Sequence, residues 1–253
     1  MNNFWQNRKA DIYIRLYDDL AKSLKTGQEL TFLKDQFSKK QSIIEFGCGT
    51  GRTLIPLLEA GYRVSGLDFS AGMLEVLRKK LNSKKLLAPV FHKNLLSFSF
   101  TKKYDGGILS QRALNFISTQ DGQRKALINI ARVLKKGATL VINLMPGRPD
   151  DFAKKQVKLK KTERFINSET GNMVELWENW IPNPMEQTWK LTNRFVERGK
   201  SLTTRMTMRV IFEPEMKNLL ALCGFRVLRI FGDWKGGKYN EKSSDFIVVA
   251  GKV

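Results

Sequence analysis

Between Gln41 and Leu144 short β-rich runs alternate with stretches of helical periodicity, and this alternation leaves few folds open: a parallel sheet whose strands are joined by helices on both faces. Ile43-Ile44-Glu45-Phe46 reads as a buried strand running into glycines, and Leu54, Leu57 and Leu58 make a helical stripe that Gly61 can stop. Tyr62 to Leu67 is the next strand. Ser70 is placed to cap a helix with Met73, Leu74, Leu77 and Leu81 on its apolar face, and Pro89 to His92 follows as a short strand. Tyr104 to Leu109 makes another. Leu127, Ile130, Ala131 and Leu134 recur at helical spacing, which predicts a helix stopped by Gly137, with Ala138 to Leu144 as a further strand.

The pattern then changes. From Val157 to Phe212, strand-like stretches at about Met173–Trp180, Thr188–Glu197 and Ser201–Phe212 are separated by Pro182-Asn183-Pro184 and Arg198-Gly199-Lys200, which read as hairpin connections. This stretch is expected to form an antiparallel layer attached to the main sheet. After Pro214 the alternation resumes with a helix over Met216 to Leu222, a stop at Gly224, and two paired strands, Phe225 to Phe231 and Phe246 to Ala250.

With 253 residues, 42% of them hydrophobic, and a formal net charge of +20, the chain has globular composition and a charge that suits an anionic partner without saying which. Much of the charge lies in pairs such as Lys79-Lys80 and Lys135-Lys136 at element ends, and there is no basic tail. Cys48 and Cys223 are too few for a disulfide framework or a cysteine metal site, so no metal and a reducing, cytoplasmic compartment are expected. Met1 to Ala10 is polar and unlike a secretory signal, and no apolar run approaches the roughly 20 residues of a membrane span.

Chemistry concentrates after the first strand. Glu45-Phe46-Gly47-Cys48-Gly49-Thr50-Gly51-Arg52 leads from strand to helix, where a parallel sheet receives a nucleotide-like ligand, and glycines let that ligand approach the backbone. Asp68 ends the next strand 21 residues beyond Gly47, where a carboxylate can accept both ribose hydroxyls. The spacing is not the G-x-G-x-x-G of dinucleotide binding. Glu45 beside the loop disfavours a pyrophosphate and suits the ammonium of a zwitterion such as S-adenosylmethionine.

Through Ile43 to Gly51, Gly66-Leu67-Asp68-Phe69-Ser70 with Met73-Leu74, Tyr104-Asp105, Arg132-Val133-Leu134-Lys135-Lys136-Gly137, and Leu219-Leu220-Ala221-Leu222-Cys223-Gly224-Phe225, the sequence resembles the class I S-adenosylmethionine-dependent methyltransferases. The resemblance implies a Rossmann-like α/β fold, a mostly parallel doubly wound sheet with an antiparallel last strand, here with an antiparallel β insert. It implies a helical cap over the cofactor at 1–40, a Rossmann-like domain at 41–147 and 213–253, and an insert at 148–212 that forms the acceptor site. Tyr17, Glu45, Gly47, Cys48, Gly49, Gly51, Asp68, Phe69, Asn94, Leu95 and Ser110 would bind S-adenosylmethionine and its product S-adenosylhomocysteine, with Asp68 on the ribose and Phe69 against the adenine. Tyr17 serves equally well as a core tyrosine. The family commonly has Gly-Asp where this chain has Lys93-Asn94; Asn94 can still accept from the adenine amine with one charge fewer.

Methyl transfer is a direct displacement that needs alignment more than a nucleophile. Glu175 and Glu178 are the candidates for a base, while Arg112, Trp177, Trp180, Arg205 and Arg209 are candidates for binding an acceptor that could be anionic. Trp177, Trp180 and Trp189 could equally seal the insert, and the Arg205/Arg209 row could be a wet sheet face. His92, the one histidine, reads as a half-buried structural imidazole. The function expected is methylation of an O or N atom of a small molecule. A ribose- or guanine-specific RNA methyltransferase is the nearest alternative, because Lys and Arg suit phosphates. A non-catalytic module binding cofactor or RNA, and a nicotinamide oxidoreductase, stand further off.

Overall fold

The computed structural model describes residues 14, 16, 18–21, 27–148, 150, 152 and 156–253, which fall into two compact units. The larger comprises residues 27–147 and 211–253. It opens with α1 (Gly27–Gln36), β1 (Ser42–Phe46), α2 (Leu54–Glu59), β2 (Arg63–Asp68), α3 (Ala71–Ser83) and β3 (Val90–His92). It continues with β4 (Tyr104–Leu109), α4 (Gln120–Val133) and β5 (Leu134–Leu144). The smaller unit supplies β6 (Gln156–Ile166), β7 (Met173–Asn183), β8 (Thr188–Glu197) and β9 (Lys200–Arg209), and the chain then returns as α5 (Glu213–Leu222), β10 (Phe225–Phe231) and β11 (Phe246–Lys252).

The seven strands of the larger unit are ordered β10-β11-β5-β4-β1-β2-β3. β1 pairs in parallel with both β2 and β4, so the strand order reverses there and a crevice opens beyond the carboxyl ends of β1 and β4. The last strand, β11, runs antiparallel to β5 and β10, as expected. Successive residues of one strand enter opposite cores: Ile44 and Phe46 pack with Leu127, Ile130 and Leu220, whereas Ile43 packs with Leu33, Leu54 and Leu77. Burial on both faces is why these strands read as unbroken apolar runs. Ser70 caps α3 as predicted, its hydroxyl accepting from the Met73 amide at 3.3 Å.

Phe32, Leu33 and Phe37 of α1 and the turn after it are buried against Ile43 and Leu57. Two expectations need correction. α4 stops at Val133, and Leu134, which occupies the same apolar cluster as Leu127 and therefore has helical spacing, already pairs with Tyr104 in the sheet. The insert forms an antiparallel sheet of its own, β6-β7-β8-β9, and β6 was not expected. Its Lys158-Leu159-Lys160-Lys161-Thr162-Glu163-Arg164 is an edge strand whose charges hide the β pattern while protecting the edge from further pairing.

A single carboxylate gathers the starts of the three central strands. Asp105 in β4 accepts from the backbone amide and hydroxyl of Ser42 in β1, at 2.9 and 2.7 Å, and from Lys135 Nζ in β5 at 2.6 Å. Lys135 and Ser42 hold its carboxyl down at about 2. A folded value below the unfolded one means the stabilisation is complete above the ordinary carboxylate range and disappears as pH falls toward 2. Asp105→Asn should therefore cost about 1–2 kcal/mol at pH 7 in urea denaturation and flatten the loss of stability between about pH 4 and 2.

Candidate cofactor site

β1 ends at Phe46, and the chain turns through Gly47, Gly49 and Gly51 with φ of +77, +50 and +86° before α2. At Gly51 an added Cβ would lie 2.4 Å from Leu77 Cδ1, so both conformation and packing demand glycine there. Gly49 is different: a Cβ would meet nothing nearer than Met73 Sδ at 4.0 Å, which leaves open space above its backbone. Asp68, at the end of β2, fastens this loop, its Oδ2 accepting from Gly49 N at 2.9 Å and its Oδ1 from Ser70 N at 2.8 Å. The Phe69 amide is a third backbone donor to this carboxylate, which leaves acceptor capacity for a ligand hydroxyl. Burial pushes the Asp68 carboxyl up, and the Ser70 and Gly49 amides oppose that shift.

Beneath the loop lies Glu45, 2% exposed. Its Oε1 accepts from Ser110 Oγ at 3.0 Å, while its Oε2 is buried without a partner. Burial first, then the neighbouring Glu29, raises its carboxyl to about 8, against the hydrogen bonds of Ser110 and Thr53. An acid in apolar surroundings with one unshared oxygen is what a ligand ammonium would satisfy, so the donors present fit the amino end of S-adenosylmethionine. Cys48 sits in the loop with its thiol pushed well above the ordinary range by burial and by Glu45 and Asp68, which makes it inert. Phe69 is half-buried directly after β2, and Leu95 is buried.

Asn94, two residues past β3, is partly buried, and its Oδ1 accepts from the Leu96 amide at 2.9 Å, leaving its NH2 and a second lone pair for a base. His92 is exposed, not half-buried, with Nε2 2.8 Å from the Phe69 carbonyl. Beyond β4, Gln111 and Arg112 both take positive φ, 54 and 61°, an uncommon strain for side-chain-bearing residues at the mouth of the crevice. Tyr17 lies outside the described residues.

One part of this site has no motif. Glu29 of α1, 5% exposed, accepts from Thr53 Oγ1 at 3.2 Å and from Gln111 Nε2 at 2.6 Å, and Arg52 Nη1 donates to Gln111 Oε1 at 2.7 Å. Arg52 and Gln111 flank recognisable motifs, but a single glutamate on a short amphipathic helix carries no signal of its own.

On the four-stranded sheet the acceptor candidates separate. Glu175 and Trp177 share one face of β7, with Arg164 Nη2 at 2.7 Å and Lys161 Nζ at 3.1 Å from Glu175 Oε1 and Trp177 Nε1 donating to its Oε2 at 3.3 Å. Arg164 and Lys161 hold the Glu175 carboxyl below its ordinary range, which makes it a weaker base than a free glutamate. Trp180 and Glu178 lie on the opposite face with the buried Leu191, Asn193, Thr204 and Met206, and Trp180 meets Trp189 edge to face at 5.3 Å. Arg205 is exposed, whereas Arg209 is buried and donates to Gln187 Oε1 at 2.7 Å, so the two do not form one anion grip. Among the described residues no group of His, Cys, Asp and Glu could hold a metal ion, and no helix is long and apolar enough to cross a membrane.

Residues 43–137 match a family described as a methyltransferase domain. The chain is 22% identical to the cypemycin N-terminal methyltransferase of a Streptomyces species across 83% of this chain and 82% of that one. It is similar to the structure of an S-adenosylmethionine-dependent methyltransferase from Clostridium acetobutylicum, with a TM-score of 0.80 and 13% identity over 96% of this chain and 98% of that one. The S-adenosylmethionine-bound amino pentose methyltransferase CalS10 from Micromonospora echinaspora gives 0.74 and 16% over 94% and 97%.

Two measurements check this site. Asp68→Ala removes charge-assisted acceptors worth about 1.5–3 kcal/mol each, so calorimetry should find S-adenosylhomocysteine affinity at least about tenfold weaker in the folded variant. Asn94→Asp should keep or improve that affinity and Asn94→Leu should lower it; equal affinity in all three forms would remove Asn94 from base recognition.

Proposed function

Because the chain is a class I S-adenosylmethionine-dependent methyltransferase, we propose that it methylates an oxygen or nitrogen atom of a small molecule. When bound, the cofactor would supply a sulfonium methyl group: the acceptor's lone pair would take the methyl carbon, the C–S bonding pair would stay on sulfur as the thioether of S-adenosylhomocysteine, and the acceptor's proton would pass to solvent. The observation that carries the proposal is how far the site's polar side chains are committed to orientation: Ser110 Oγ donates to Glu45, and Asp68 is fixed by the backbone amides of Gly49, Ser70 and Phe69. With Cys48 inert as well, the acceptor must bring its own lone pair, as an amine or hydroxyl does. Glu45 would hold the amino end of the cofactor, Asp68 the ribose, and Phe69 and Asn94 the adenine, so the reacting carbon is presented in one orientation and alignment supplies the rate.

The names of two similar proteins support the small-molecule reading: one is called a cypemycin N-terminal methyltransferase and the other an amino pentose methyltransferase, and both resemble this chain along most of their length. The two buried, unbridged thiols favour a reducing cytoplasm. We assign acceptor selection to the four-stranded sheet, and there to the face of Trp180 and Glu178, since the exposed Lys190, Arg194 and Arg205 lie on the Trp177 face.

The test is a screen of labelled cofactor against pools of amines, hydroxyl compounds and RNA. Transfer to a small molecule is expected; label in RNA, with binding that weakens steeply with salt, would replace this reading by the RNA one. With an acceptor in hand, Trp180→Phe should change its KM or kcat at least about fivefold while S-adenosylhomocysteine affinity stays within about threefold, and Arg205→Gln should change neither by more than about twofold.

A further inference from the structure

Two buried carboxyls of the cofactor site are joined by a chain of two hydroxyls. Glu29 Oε1 lies 3.2 Å from Thr53 Oγ1, Thr53 Oγ1 lies 3.4 Å from Ser110 Oγ, and Ser110 Oγ lies 3.0 Å from Glu45 Oε1. These are three oxygen-to-oxygen contacts, and each needs a hydrogen. Thr53 and Ser110 bring one each. With both glutamates ionised, Ser110 turns to Glu45 and Thr53, which reaches Glu45 as well as Glu29, also turns to a carboxylate, so the central contact is left as two facing lone pairs. With one proton added on Glu45, the chain closes in a single direction: Glu45 donates to Ser110, Ser110 to Thr53, and Thr53 to Glu29.

We propose that the Glu29–Thr53–Ser110–Glu45 chain holds one shared proton, that this proton passes to solvent when the cofactor's ammonium reaches Glu45, and that Glu29 is the positioning residue that sets the pH at which the cofactor is accepted. The proposal rests on the cofactor site described above. The surroundings of the chain agree with it. Glu29 faces Arg52, whose Nη2 is 4.0 Å from Oε2, together with Asp245; Glu45 faces Glu29, Asp68 and the Cys48 thiol. The Arg52 guanidinium thus stands among four buried or half-buried acids and compensates the ionised Glu29 better than it can a second charge on Glu45. Burial raises the Glu29 carboxyl to about 7 and Glu45 to about 8, so the exchange falls near neutral pH. Glu45 Oε2, without a partner, is the atom an ammonium would engage, and a positive group there favours the ionised acid.

Glu29 does more than share the charge. By accepting from Thr53 and Gln111 it ties α1 to the loop after β1 and to the strained turn after β4, the two segments that frame the crevice. Loss of its charge should therefore be felt in the protonation of Glu45, a residue it does not touch.

S-adenosylhomocysteine binding to the intact protein tests this by calorimetry at pH 7 in phosphate and in Tris, whose protonation heats differ. The expected result is release of between about half and one proton per site, with affinity rising by up to about tenfold per pH unit between pH 6 and 8 and levelling above. In Glu29→Gln the midpoint of that rise should move to lower pH and proton release at pH 7 should fall, because Glu45 loses its acidic neighbour. Heat independent of buffer together with flat affinity from pH 6 to 8 in the unaltered protein overturns the proposal without needing any variant, and leaves the cofactor site standing. An unchanged midpoint in folded Glu29→Gln reduces Glu29 to a packing role and overturns its part. Absence of binding at every pH overturns the cofactor site itself and this proposal with it.

Discussion

The contact on which the site depends is the one between the Asp68 carboxylate and the Gly49 amide, 2.9 Å long and almost wholly removed from water. It joins the end of β2 to the loop after β1, and through the Ser70 amide it also fixes the start of α3. Gly47 N and Cys48 N donate to the Leu67 carbonyl at 2.8 and 3.0 Å, so the loop is closed onto β2 from both sides. The arrangement keeps the loop's left-handed glycines in register with a carboxylate that still has lone pairs free. A preorganised site of this kind spends its ordering entropy during folding and not during binding.

Preorganisation has a cost. Glu29, Glu45 and Asp68 are all buried, and Arg52, hydrogen-bonded to Gln111, offers Glu29 a compensating positive charge. Desolvation pushes each carboxyl upward, and the protein answers with hydroxyls, amides and a retained proton in place of ion pairs. Such a cluster works against stability until a cationic ligand enters. The two apolar layers flanking the parallel sheet, and the Asp105 clamp at the opposite end of the strands, are where the fold offsets that strain.

The smaller unit follows different physics. Its antiparallel sheet is two-faced: Val174, Leu176, Leu191, Phe195, Met206 and Met208 are buried, while Lys190, Arg194 and Arg205 are exposed on the other side. The polar row Glu178, Asn193 and Thr204 interrupts the buried face, and a polar row inside an apolar face suits selective recognition better than it suits packing.

Local signals were enough for the order of strands and helices, the glycine loop, the cap at Ser70, and Asp68 at the end of β2, since each rests on periodicity, turn chemistry or a fixed short spacing along the chain. They failed where sequence neighbours answer to distant partners. Leu134 has helical spacing but is drawn into a strand by Tyr104, and β6 is concealed by the charges that protect a sheet edge. Trp177 and Trp180 look like one aromatic wall in the sequence, yet three residues of strand turn them to opposite faces. Glu29 was invisible because its meaning comes from Thr53 and Gln111, which lie 24 and 82 residues away along the chain. The sequence by itself therefore determined the fold class and the glycine loop that follows β1. Only the tertiary structure decided which acids share a buried environment, because desolvation and proton sharing depend on distances between residues that the chain order does not bring together.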